Sequence, residues 1–258
     1  DDLLLKTGAG VYPEGALLNH DCVPNCVVTY DGLVQNIRCI RKIKEGEELT
    51  HSYVDPYHSN TTPHSNTTLQ HRYVDVFATT KDRQEDLCMN YNFKCKCSLC
   101  SSTNDERDSW IGEKSRRSDV LDFAERFAMR AHAENDVKQE IALLHECLRL
   151  RASCCHSYDR LILKTRNALM SACLSQGDYK QAALHCEIVV RMYSKIYHPM
   201  HPMTALQLST LGNLRVEIGE VEKGLKELES AVQVLRVTHG KDSSLVHSIE
   251  ALIRDAST

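Results

Sequence analysis

At 258 residues with 42% hydrophobic side chains, the chain has room for one large or two modest globular domains with real cores. A net charge of −4 and a pI near 6.4 supply no broad cationic surface, which argues against direct nucleic-acid binding. No apolar run approaches the roughly 18 residues needed to cross a bilayer, and Asp1 to Lys6 lacks the shape of a secretory signal, so no membrane association is expected.

In chain order, Cys26 to Tyr30 reads as a strand, Asp31-Gly32 as a turn and Leu33 to Ile40 as a second strand with apolar alternation. Lys44 to Glu48 makes another turn, and Leu49 to Val54 continues as a strand or extended segment carrying Tyr53. A local duplication follows. His51-Ser52-Tyr53-Val54-Asp55 returns as His71-Arg72-Tyr73-Val74-Asp75, and His58 to Thr62 recurs at His64 to Thr68. The Ser, Asn and Thr-rich stretch between the copies has no hydrophobic period, so it is expected to be an inserted, exposed loop.

Beyond Cys100, the polar run Ser101 to Arg117 reads as a partly helical linker, and helical periodicity begins near Asp119. Leu161 to Gln176, Tyr179 to Tyr197, Met203 to Ile218, Val221 to Val237 and Ser244 to Arg254 are predicted helices, arranged as antiparallel hairpins. Gly177-Asp178-Tyr179 with Ala182-Ala183 is echoed forty-two residues later by Gly219-Glu220-Val221 with Gly224-Leu225, a period that suggests tetratricopeptide-like repeats. Leu206, Leu208, Leu211, Leu214 and Leu225 are read as filling a helical core.

The chemistry is concentrated in sulfur. Twelve cysteines in a chain this long point to metal in a reducing compartment rather than to disulfide staples. Phe93-Lys94-Cys95-Lys96-Cys97-Ser98-Leu99-Cys100 packs three thiols into six residues, a density that suits Zn–S bonds of about 2.3 Å. Spacing alone leaves the fourth ligand open among Cys22, Cys26, Cys39, Cys88 and a histidine.

Asn19-His20-Asp21-Cys22-Val23-Pro24-Asn25, then Gly46-Glu47-Glu48-Leu49-Thr50 with Tyr53, then the cluster from Phe93 to Cys100, occur in an order that resembles SET-domain protein lysine methyltransferases. With helical hairpins after the cysteines, the chain most closely resembles the SMYD branch, named for its SET and MYND domains. Arg236 to Gly240 with Ser243 to Leu245 resemble that branch's C-terminal helices. Asp21 stands where the branch most often has Ser. The Gly-rich cofactor segment and MYND finger that precede Asn-His in that branch do not occur here, so the chain reads as a fragment.

The resemblance implies an α+β fold: the C-terminal part of a β-rich SET domain over 1–57, an inserted loop over 58–70 and a post-SET zinc-binding segment over 71–103. A linker over 104–117 and an all-α tetratricopeptide-like domain over 118–258 complete it. It implies S-adenosyl-L-methionine as methyl donor, bound through Asn19, His20 and Phe93, and Zn2+ held by Cys22, Cys95, Cys97 and Cys100. Tyr91 would line the lysine channel. Tyr53 and Tyr73 compete for the catalytic position: Tyr73 has the usual spacing before Phe93, but strand register from Gly46 fixes the direction of Tyr53, which is favoured.

The expected partner is a protein lysine substrate, histone or non-histone, with a chaperone or peptide at the helical domain. A monomer, cytoplasmic and nuclear, is expected. The rival reading is a catalytically inactive SET-like adaptor that binds protein partners through its helical repeats; a DNA-contacting metal protein is disfavoured because no basic helix accompanies the cysteines.

Overall fold

The structure, a computed structural model, describes residues 10–53, 77–102, 106–112 and 117–257. Tyr73 and the 58–70 segment, with most of the duplicated stretch, lie outside the described residues.

The first part of the chain is built from short strands. A single 3-10 turn, Gly15–Leu17, leads into β1 (Asn19–His20), which pairs in parallel with β4 (Thr50–His51), Asn19 opposite Thr50 and His20 opposite His51. Between them β2 (Cys26–Asp31) and β3 (Val34–Cys39) form an antiparallel hairpin running from Cys26 opposite Cys39 to Asp31 opposite Val34. Gly32 adopts φ +56 at the first loop position, the requirement of a type II′ turn that the right-handed strand twist favours. The ladder at β4 covers Thr50–His51, within the strand or extended segment expected from Leu49, and Val54 lies outside the described residues.

Buried Asn25 stitches these pieces together. Its side chain donates to the Glu48 carbonyl at 2.7 Å and accepts from the Thr50 amide at 2.8 Å, while its own carbonyl accepts from the Ile40 amide. A buried amide satisfied on both ends is worth far more than an exposed one, because removing it strands backbone groups away from water.

Helices dominate the rest. The segment before the cysteine cluster forms α1 (Thr80–Tyr91), capped by the Thr79 hydroxyl, which accepts from the Asp82 amide. This helix was not anticipated, because its buried side chains are Arg83, Asp86 and Leu87, and no apolar stripe advertises it. Two short helices follow, α2 (Ser98–Ser101) and α3 (Glu106–Gly112), the latter inside the stretch expected to be a partly helical linker.

From residue 118 the chain is a stack of helix pairs: α4 (Ser118–His132) with α5 (Val137–Ala152), α6 (Arg160–Gln176) with α7 (Tyr179–Ile196), and α8 (Pro202–Glu217) with α9 (Val221–Thr238). α10 (Ser244–Ala256) closes against α9. Five of these match the predicted helices to within one or two residues at each end. The forty-two-residue echo has a backbone counterpart. Gly177 and Gly219 both take left-handed φ, +78 and +84, and the following amides, Asp178 and Glu220, reach back to the carbonyls of Cys173 and Arg215.

Each repeat also contributes to a shared core. Leu211 and Leu214 are buried with Cys173, Ala182 and Cys186, whereas Leu206 and Leu208 pack on the cluster formed by Leu228, Val232 and Leu235. Among the described residues no helix is long and apolar enough to cross a membrane.

The two halves touch. Phe77 sits 5.8 Å from the rings of both Tyr193 and Tyr197, Asp82 pairs with Arg160 at 3.3 Å, and the Thr29 hydroxyl donates to the Thr238 carbonyl at 3.1 Å.

His201 caps α8: its Nδ1 accepts from the Met203 amide at 3.2 Å, and the ring stacks on Tyr197 at 4.4 Å. Burial, reinforced by nearby His198, pushes its pKa down to about 4. An unfolded chain takes up this proton near pH 6.5 while the folded chain refuses it until about 4, so the stability tied to His201 is complete above 6.5 and lost as pH falls. Wild type should lose about 2 to 3 kcal/mol more between pH 6.5 and 4 than His201→Asn, which keeps a capping oxygen. Urea unfolding at both pH values checks it.

Candidate functional site

The Sγ atoms of Cys22, Cys95, Cys97 and Cys100 all lie within 4.8 Å of one another. A tetrahedral ion with Zn–S bonds of about 2.3 Å needs sulfurs about 3.8 Å apart, and Cys22 and Cys100 stand at 3.6 Å. The donor set therefore fits zinc, and among the described residues the sulfur that joins Cys95, Cys97 and Cys100 is that of Cys22. Hydrogen bonds from Cys100 and Cys22 draw the Cys97 thiol far below its usual range, so this sulfur favours the thiolate that a metal requires.

Local structure explains the convergence. Cys97 caps α2, its sulfur accepting from the Cys100 amide at 3.4 Å, so Cys97 and Cys100 fall on one turn. Cys95 is clamped by Gln84 of α1, whose side chain donates to the Cys95 carbonyl at 2.7 Å and accepts its amide at 3.0 Å. Opposite, the Asp21 carboxylate accepts from the Val23 amide at 2.7 Å, closing a tight turn that turns Cys22 inward. Asp21 thus makes the kind of local turn that a Ser can also make.

Arg83 is a member of the site that the sequence did not betray. Only 1% exposed, it donates to the Ala78 carbonyl at 2.6 Å and the Thr80 hydroxyl at 2.9 Å, with Nη2 3.9 Å from Cys100 Sγ. Four thiolates on a divalent ion leave excess negative charge, and a buried guanidinium beside them offsets it. Replacing Arg83 with Leu should lower stability by about 2 kcal/mol and zinc affinity on the order of 10 to 100-fold. Urea unfolding and competition with a chromogenic chelator check this, and Arg83→Lys should recover part of both losses.

The sulfur cluster is joined to an aromatic one through His20. Its Nδ1 accepts from the Tyr53 amide at 3.0 Å, which leaves the proton on Nε2, 3.2 Å from Cys22 Sγ. Burial pushes the His20 pKa down to about 4, so the neutral ring is the working form. Around it stand Tyr53 at 5.4 Å and Phe93 at 6.0 Å, and Tyr53 in turn faces Tyr91 at 4.8 Å.

Phe93 and Tyr91 reach this place because Asn92 ends α1 in the left-handed conformation, φ +58, a geometry Asn tolerates better than most residues. The Tyr53 hydroxyl donates to the Leu18 carbonyl at 2.8 Å, and burial with the Glu48 charge raises the pKa of its phenol. Asn19, the exposed residue before His20 in β1, is oriented by Glu48, which accepts from its Nδ2 at 2.5 Å.

His20, Tyr53, Tyr91 and Phe93 therefore form one aromatic group joined to the cysteine cluster through His20. These aromatic faces suit a flat or cationic ligand.

A family model for the SET domain matches residues 4–54, which contain Asn19, His20, Cys22 and Tyr53. The first half of the site is thus SET-type. Histone-lysine N-methyltransferase SMYD3 of Mus musculus is 25% identical over 251 residues, covering 97% of this chain and 54% of that protein. N-lysine methyltransferase SMYD2-B of Danio rerio is 26% identical over 266 residues (99% and 56%), and histone-lysine N-methyltransferase ASHR1 of Arabidopsis thaliana is 23% identical over 295 (99% and 57%). The chain is similar to these SMYD and ASHR1 methyltransferases over nearly its whole length. It spans about half the length of the curated relatives it matches. Among solved structures, a Podosopora anserina protein with nearly identical TPR-like repeats is similar at TM-score 0.41 and 19% identity, over 57% of this chain and 67% of that one.

Proposed function

We propose that this chain is the cofactor-facing, zinc-binding and helical part of an S-adenosyl-L-methionine-dependent protein lysine N-methyltransferase acting on histone or non-histone substrates. The observation that carries the reading is the His20 bridge, which ties the four-cysteine cluster to the Tyr53, Tyr91 and Phe93 group. Zn2+ would be held by Cys22, Cys95, Cys97 and Cys100 in a structural role, without redox chemistry. Asn19, His20 and Phe93 would hold the donor. When bound, it supplies an electrophilic methyl on a sulfonium.

The chain's own residues do the rest by excluding water and aligning the amine. A lysine of pKa about 10.4 costs roughly 4 to 5 kcal/mol to neutralise at pH 7, and an apolar channel beside a cation lowers that cost. The Tyr53 and Tyr91 rings, 4.8 Å apart, form such a wall, and the Leu18 carbonyl fixes the Tyr53 phenol in one orientation. The helical hairpins would wall one side of the substrate cleft or receive a peptide or chaperone segment. Residence in the cytoplasm and nucleus fits the sulfur chemistry, which needs a reducing compartment.

Transfer of labelled methyl from the donor to a mixed protein lysate by the full-length protein tests the reading. Wild type should label protein lysine, and Tyr53→Phe should lower the rate on the order of 100-fold, the scale of losing one positioned polar group. Loss in Tyr73→Phe alone would move the catalytic role to Tyr73, and an unlabelled lysate with wild type would leave an adaptor.

A further inference from the structure

Outside the metal cluster, a second pair of sulfurs meets across the base of the hairpin. Cys26 of β2 and Cys39 of β3 are direct partners in the antiparallel register, and their Sγ atoms stand 3.9 Å apart. Residues directly opposite in such a ladder have Cα atoms about 4.5 to 5.5 Å apart, inside the span a disulfide bridges, so bond formation needs side-chain rotation and little backbone movement. The two thiols differ in access. Cys26 is 1% exposed, and burial, followed by its neighbour Cys39, pushes it up to about 11, so it rests as a thiol; Cys39 is exposed to solvent.

We propose that Cys26 and Cys39 form a reversible, peroxide-oxidised disulfide site, separate from the cluster of Cys22, Cys95, Cys97 and Cys100. The exposed Cys39 sulfur attacks hydrogen peroxide, breaking the O–O bond to give a sulfenic acid and one water. Cys26 then loses its proton and attacks the Cys39 sulfur. The S–S bond forms as the S–O bond breaks, and the hydroxide leaving group takes up that proton as a second water. Two thiols lose two electrons in all, and one peroxide is reduced to two waters. The four cluster cysteines invite this chemistry less, since a sulfur that binds zinc would share its electron pairs with the metal.

The modification has a definite structural address. Cys26 follows Asn25, and Cys39 precedes Ile40, whose amide donates to the Asn25 carbonyl at 2.9 Å. Because Asn25 also holds Glu48 and Thr50, the bond would fasten the hairpin base at the point where it meets the strand bearing the aromatic group.

Full-length, zinc-loaded protein treated with two molar equivalents of hydrogen peroxide, alkylated and mapped by peptide mass spectrometry tests this. The expected result is a linked peptide joining Cys26 to Cys39, reversed by a thiol reductant, with zinc content unchanged. Cys39→Ser should remove the linkage while keeping wild-type zinc content, and Cys26→Ser should leave Cys39 to progress to the sulfinic acid. Recovery of Cys39 as sulfinic acid in wild type with Cys26 still alkylated, or linkage of either residue to a cluster cysteine, would overturn the proposal. Because zinc content and disulfide mapping are read without methyl transfer, failure here is distinguishable from failure of the enzymatic reading.

Discussion

Cys97→Ser is expected to abolish stoichiometric zinc binding and to lower stability by several kcal/mol, a large share of the order of 10 kcal/mol that a structural zinc contributes. Cys97 is chosen because it acts twice, as a cluster sulfur and as the cap of α2. Serine can still cap the helix but is a poor ligand for the ion, so the capping contribution survives and the loss reads the metal. Elemental analysis and thermal melting with and without a chelator measure it. Wild type should melt lower in the chelator, and the variant should not respond. A variant with full zinc content, or a wild type indifferent to chelation, would contradict the assignment of the cluster.

Gly224→Val is expected to cost about 3 kcal/mol, at the upper end for overpacked positions. A Cβ at Gly224 would stand 2.7 Å from the Gly212 carbonyl oxygen and 2.8 Å from a Val216 methyl, and one at Gly212 would lie 2.8 Å from the Gly224 oxygen. The obstruction is backbone, which cannot rotate aside, so α8 and α9 must separate. Gly219→Ala is the instructive comparison. Its Cβ meets nothing within 4 Å, and its cost of about 1 kcal/mol comes only from the left-handed φ of +84. Chemical denaturation of both variants checks the ordering, and equal losses would mean that the helices tolerate the added methyls.

The helical half was legible because its signals are local. Gly177 and Gly219 stop helices for a conformational reason written in one residue, and apolar positions at 3.6 spacing mark the faces that pack. The cysteine cluster was legible for a related reason, three thiols being too dense for other uses. Its closure by Cys22 depended on a long-range meeting that spacing leaves open, and only the resemblance named the partner in advance.

What sequence concealed was polar. α1 buries an arginine and an aspartate, so its period is carried by residues that a hydrophobic scan discounts. Arg83 and Gln84 became informative only once their partners, a sulfur and a distant backbone, were in place. Asn92 could have been noticed as a residue apt to end a helix in the left-handed region, but Asn is common in loops of every kind.

One imidazole has a nitrogen toward each of two clusters, His20 Nε2 toward Cys22 and Nδ1 toward the Tyr53 amide. Such a ring is a rigid lever. A tilt imposed by an ill-fitting cation at one end would be delivered to the Tyr53 backbone at the other, so loading the four cysteines with cadmium in place of zinc should register in tyrosine geometry before it registers in unfolding.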